Sequence, residues 1–171
     1  MKPAVALAFG LFFLYAVWAV ALSGWLASAH GLRGFVPDFG LVLLFAWAAR
    51  LRGSRAPLAA LLLALARASF SADPPLAVAA AELTAVGLFL ALGAGLEVDR
   101  ALLRAFLCGT GAWLSSLLLV SARTLALSGD ALALSGHALL PGALATGLAC
   151  LLLAPLATRL AGLAPLAKVR P

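Results

Sequence analysis

The chain has 171 residues, 65% of them hydrophobic and only 11% charged, with a formal charge of +6 and a mean hydropathy of +1.13. A soluble domain of this length buries only about 70% of its surface, and so few charged residues cannot cover the remainder, which excludes a water-soluble enzyme or binding module. The positive balance reads as the basic loops of a membrane protein, not as a nucleic-acid footprint.

The chain opens with Lys2 and an apolar run over 4–26, followed by Ala27-Ser28-Ala29. Small residues after an apolar run resemble a signal-peptide cleavage site, but the run exceeds the usual core of about 7–15 residues. It is therefore read as a first transmembrane helix. Further apolar runs over 35–49, 56–70, 75–96, 101–121 and 139–163 give six candidate spans, against a need for about 20 residues each. The second and third are short. A re-entrant hairpin would leave Arg50, Arg52 and Arg55 near the bilayer centre, at roughly 2.5–3.5 kcal/mol each, so both are expected to cross. The expected fold class is an all-α polytopic membrane protein, a six-transmembrane-helix bundle forming a single domain over 1–171.

Basic residues set the orientation. With the N-terminus inside, Lys2, Arg50, Arg52, Arg55, Arg100, Arg104, Arg159, Lys168 and Arg170 lie on the inner side, and only Arg33, Arg67 and Arg123 on the outer. That bias predicts both termini in the cytoplasm. Asp38 after Pro37, Asp73 before Pro74, and Asp99 are placed to open helices and complement their dipoles.

Two ionisable residues within the predicted spans stand out: Arg67 near the outer end of the third, and Glu82 about two turns into the fourth. Intramembrane charge is functional by default. The alternatives are an Arg67–Glu82 ion pair, Arg67 snorkelling to headgroups, a binding pocket around Glu82, or a polar contact with a partner's helix. Small residues four apart, Gly142 with Thr146 and Ala143 with Gly147, mark the sixth span for close helix packing. Trp25 fits an outer aromatic belt and Trp47 an inner one. Cys108 and Cys150 read as buried free thiols.

His30 and His137 lie in outer loops far apart, and no nucleophile–base pair, zinc-helix motif or phosphate loop is present. Neither catalysis nor a cofactor or metal is expected.

Val36-Pro37-Asp38-Phe39-Gly40-Leu41 resembles the opening of the second span in the MreD-type rod-shape-determining membrane proteins. The likeness continues through the basic Arg50-Leu51-Arg52, a Ser-containing turn into Pro75-Leu76, and a last helix opened by Leu140-Pro141. The third span carries Arg67 and Ser69 where family members often show Gly and Asp, and Ala77 stands where Gly often follows Pro-Leu. The family matches are thus Pro37, Asp38, Pro75 and Leu76. The resemblance implies a non-catalytic scaffold of the bacterial cell-elongation machinery in the inner membrane. Such a scaffold binds an MreC-like bitopic protein and, through it, MreB filaments and peptidoglycan synthases. The family's fold also resembles the substrate-binding subunits of energy-coupling-factor transporters, which implies the alternative of a small-molecule (vitamin) binding subunit. The lipid bilayer is a partner in either case, and nucleic acid in neither.

Overall fold

The computed structural model describes residues 3–29, 35–48, 50–51, 55–93, 101–127 and 136–167. Six α-helices run through them: α1 (Pro3–Ala29), α2 (Phe39–Ala48), α3 (Arg55–Ala68), α4 (Pro75–Gly93), α5 (Ala101–Leu127) and α6 (Leu140–Ala157). Short 3₁₀ turns cover Gly136–Leu139 and Ala164–Leu166, and no strand occurs among the described residues. Asp99, His30 and Arg33 lie outside them, as do Lys2, Arg52, Arg100, Asp130, Lys168 and Arg170.

Helix α2 is the axis of the bundle. It touches α1, α3, α4, α5 and α6, and every residue from Gly40 to Ala48 is buried. A helix that is apolar all round belongs in a core, and Phe39-Gly40-Leu41-Val42-Leu43-Leu44-Phe45-Ala46-Trp47-Ala48 contains no charged side chain. Phe45 packs edge-on against Phe89 of α4, with ring centroids 5.0 Å apart. On α5, Gly111 leaves room for the same ring, because a Cβ there would lie 2.7 Å from Phe45 Cζ.

The outer helices are inverted relative to those of a soluble protein. In α6 the buried positions are the small Ala143, Thr146, Cys150 and Ala154, while Leu140, Leu144, Leu148, Leu152 and Leu156 point outward. In α1, Val5, Ala8, Phe9, Phe12 and Ala16 face the core, and Leu7, Leu14, Trp18, Leu22 and Trp25 are exposed. Large apolar side chains outside in both helices, and small ones inside in α6, suit a lipid solvent, where close backbone approach drives association.

Four helices, Pro3–Ser28, Pro75–Leu92, Ala101–Thr124 and Leu140–Ala157, are long and apolar enough to cross a membrane. The expected second and third spans are shorter than drawn from the sequence: α2 has 10 residues and α3 has 14, about 15 Å and 21 Å at 1.5 Å per residue. A hydrocarbon core is about 30 Å thick. Both helices fall short of that length, and α2 lies inside the protein from Gly40 to Ala48.

The sixth run also ends earlier than expected. Helix α6 stops at Ala157, and the chain turns back through Gly162, whose φ of +79° favours glycine. Leu163 and Leu166 are fully buried beneath this turn. Arg55 donates to the carbonyls of Pro165 and Leu166 at 3.0 Å each, and Tyr15 to that of Ala161 at 3.3 Å. The segment thereby closes the bundle at the Trp47 end. Trp47 itself is not a lipid-interface belt residue: it is buried, and its indole Nε1 donates to the Ala157 carbonyl at 2.9 Å.

Candidate functional site

At the opposite end, the start of α2 is held by side chains from three helices. Asp38 caps α2: its Oδ1 accepts from the amide of Leu41 at 3.0 Å, the bond an N-cap makes to the third helical residue. The amide of Asp38 donates to Thr146 Oγ1 of α6 at 2.9 Å, and that hydroxyl donates onward to the Gly142 carbonyl at 2.7 Å. The amide of Phe39 donates to Ser23 Oγ of α1 at 3.1 Å. These bonds satisfy donors that the first turn cannot satisfy itself and that lipid would leave bare. A Cβ on Gly40 would lie 2.7 Å from Leu63 Cδ1, so any side chain there requires Leu63 to shift.

Onto this cap comes Arg67, in the last turn of α3. Its Nη2 donates to Asp38 Oδ2, while Nη1 lies 2.9 Å from Glu82 Oε1 of α4. Glu82 is fully buried. The Glu82 contact has ion-pair distance but not hydrogen-bond direction, and neither carboxylate oxygen accepts a hydrogen bond among the described residues. One guanidinium therefore serves two carboxylates in a low-dielectric setting, where removing it is costly.

The contact of Arg67 with Glu82, one of the alternatives the sequence leaves open, is present. The equally intimate contact with Asp38 was not anticipated, because Asp38 already had a sufficient role as a cap. Pro37 and Asp38 belong to this cluster. Pro75 opens α4 and Leu76 is strongly exposed, so neither takes part.

Above the cap lies a cavity of about 600 Å³, lined by Val20, Ser23, Gly24, Asp38, Arg67, Phe70, Ser116, Leu139 and Thr146, among others. It sits between α1, α3, α5 and α6, over the point where the short α2 begins. Ser23, Phe70 and Ser116 carry no sequence signal: the facing of Ser23 and Ser116 depends on helix rotation, and Phe70 lies in the turn after α3.

The four small residues of α6 divide between two neighbours. Gly142 and Thr146 serve the α2 cap, whereas Ala143 and Gly147 meet α5. A Cβ on Gly109 would lie 3.1 Å from the Ala143 carbonyl oxygen, and one on Gly147 would lie 3.0 Å from that of Ala105. Near this crossing Cys108 and Cys150 are both free and buried. The lipid-facing side of the same crossing is an apolar groove of about 470 Å³, flanked by Leu102, Phe106, Leu144 and Leu148.

A third ion pair, Arg123 with Asp73, lies at the turn between α3 and α4. Asp73, expected only as a dipole partner for α4, accepts from Arg123 of α5, with Nη2 at 2.8 Å from Oδ2, and from Ser71 Oγ at 2.6 Å. The Arg123 hydrogen bonds hold its carboxyl below the usual carboxylate range, against the opposing effect of burial.

Comparison of the chain with protein-family models, curated proteins and solved structures returns no match in any of the three.

Proposed function

We propose that the chain is a non-catalytic scaffold of the bacterial inner membrane, similar to MreD-type proteins, that holds the transmembrane helix of an MreC-like bitopic partner. The observation that carries this reading is the use made of the intramembrane charges. Arg67, Asp38 and Glu82 contact one another and start α2, so these polar groups build the bundle. The lipid-facing surfaces are left to apolar packing. In this reading the partner's helix lies along the α5–α6 groove, where Gly109 and Gly147 bring the two helices close. The six-crossing arrangement with cytoplasmic termini belongs to the same proposal, with α2 and α3 sheathed by the longer helices. Through the partner, the scaffold connects to MreB filaments and peptidoglycan synthases.

Affinity capture of the tagged full chain from native membranes in mild detergent tests this. Recovery of an MreC-like protein, with a photocrosslinker at Leu148 reaching it and one at Leu7 not, supports the scaffold. Recovery of an ATPase pair with a coupling subunit replaces it with the second reading, a small-molecule-binding subunit of a transporter in the energy-coupling-factor architecture. The specific observation favouring that alternative is the cavity over Asp38, whose volume lies within the usual range for ligand sites of about 300–1,000 Å³.

A further inference from the structure

The described lining of the cavity over α2 carries two charged side chains, Asp38 and Arg67, and they are in contact with each other. Both remain reachable, with side chains 28% and 14% exposed. Asp38 has acceptor capacity beyond its bonds from Leu41 and Arg67, since a carboxylate offers about four lone-pair sites. Arg67 has donors beyond the two nitrogens facing Asp38 and Glu82, since a guanidinium carries five N–H groups.

This pairing selects by charge. An isolated anion drawn to Arg67 meets Asp38 beside it, and an isolated cation drawn to Asp38 meets Arg67. A molecule carrying both charges satisfies both groups and repels neither, because its ammonium faces the carboxylate and its anionic group faces the guanidinium. Val20, Phe70 and Leu139 supply apolar wall for a carbon stem, and the hydroxyl-bearing Ser116 stands on the α5 wall. We infer that this cavity binds a small zwitterionic group, either a free molecule or the headgroup of a zwitterionic lipid whose tails remain in the bilayer. The inference deepens the small-molecule reading of the cavity and is independent of the scaffold reading.

The test uses the full chain in mild detergent. Native mass spectrometry reads what is carried over from the membrane. Equilibrium dialysis of the delipidated chain then reads binding of phosphoethanolamine, with choline and inorganic phosphate as single-charge probes. Two variants fill the cavity without touching the ion pair. Gly24→Trp starts from a position where a Cβ meets nothing within 4 Å, and Ser116→Phe fills from the α5 wall. Circular dichroism confirms that the variant used keeps its helices.

Phosphoethanolamine is expected to bind at least tenfold more tightly than choline or phosphate, and to lose at least tenfold in a folded variant. Binding of the free headgroup identifies a soluble zwitterion. Retention of phosphatidylethanolamine over phosphatidylglycerol, with no binding of the free headgroup, identifies a lipid. Single-charge probes binding as well as phosphoethanolamine, or zwitterion binding unchanged in the folded variants, overturn the inference. A different species displaced by both variants overturns the zwitterion and leaves the cavity a binding site. No retained species and no probe binding overturns both.

Discussion

Arg67 and Asp38, 29 residues apart, meet side chain to side chain at the N-terminus of α2, so the last turn of one helix and the cap of another are a single electrostatic unit. Glu82 lies on the far side of the same guanidinium, so loss of Arg67 leaves two carboxylates without the cation they share.

That asymmetry orders the variants. Arg67→Met is expected to destabilise the bundle by about 3–5 kcal/mol, the usual loss when one partner of a buried pair is removed. Glu82→Gln leaves Arg67 on Asp38 and is expected to cost less, about 1–2 kcal/mol, in line with intramembrane polar contacts. The double variant should be more stable than the sum of the single losses implies. Heat unfolding in detergent, followed by helicity, measures the cycle, and strictly additive losses would show that Glu82 does not sense Arg67.

Asp38→Ala removes the cap and the ion-pair partner together. Loss of a cap alone costs about 0.5–2 kcal/mol. Asp38→Asn can keep the bond from the Leu41 amide while giving up the charge, so it should fall between wild type and Asp38→Ala. Equal losses for Asn and Ala would mean that the cap contributes nothing.

What the sequence made legible, and what it concealed, follows from range. The lipid-compatible class and the existence of six helices came from local apolar runs, and the Arg67–Glu82 contact was one of the alternatives that two costly charges left open. The boundaries of the second and last runs were misjudged because hydropathy cannot distinguish a side chain facing lipid from one buried in protein. Phe39–Ala48 is apolar because it is central, and Leu163 is apolar because it is tucked under a turn. Trp47 misled for the same reason: its indole satisfies a carbonyl 110 residues away. Asp73 and Arg123, 50 residues apart, carried no local signal of their pairing, and the cavity depends on helix rotations that the Ala- and Leu-rich runs do not encode.

The glycines give a test of the α5–α6 crossing. Gly147→Val places its Cβ 3.0 Å from the Ala105 carbonyl oxygen, and overpacking of this kind costs about 1–3 kcal/mol. Gly87→Ala is the contrasting change, because a Cβ there meets nothing within 4 Å. It should be neutral or stabilising by up to about 1 kcal/mol through helix propensity. If both variants unfold at the same temperature, the close approach of α5 and α6 is not a constraint on the fold.

Asp73 supplies the pH dependence. It lies between α3 and α4, and hydrogen bonds from Arg123 depress its pKa in the folded state, with Ser71 adding to the effect. A depressed carboxylate contributes stability that is fully present above its unfolded pKa of about 3.9 and is lost as pH falls through the lower folded value. Arg123 is half-exposed, so solvent screening limits the contribution to about 1 kcal/mol. Asp73→Asn is therefore expected to be less stable than wild type by up to that amount at pH 7. The gap should hold down to about pH 5 and close as wild-type Asp73 takes up its proton below pH 4. Unfolding midpoints of both proteins across that range decide it. A gap unchanged at the acid end would assign the contribution of Asp73 to the shape and hydrogen bonding of the Ser71 turn, with no share from its charge.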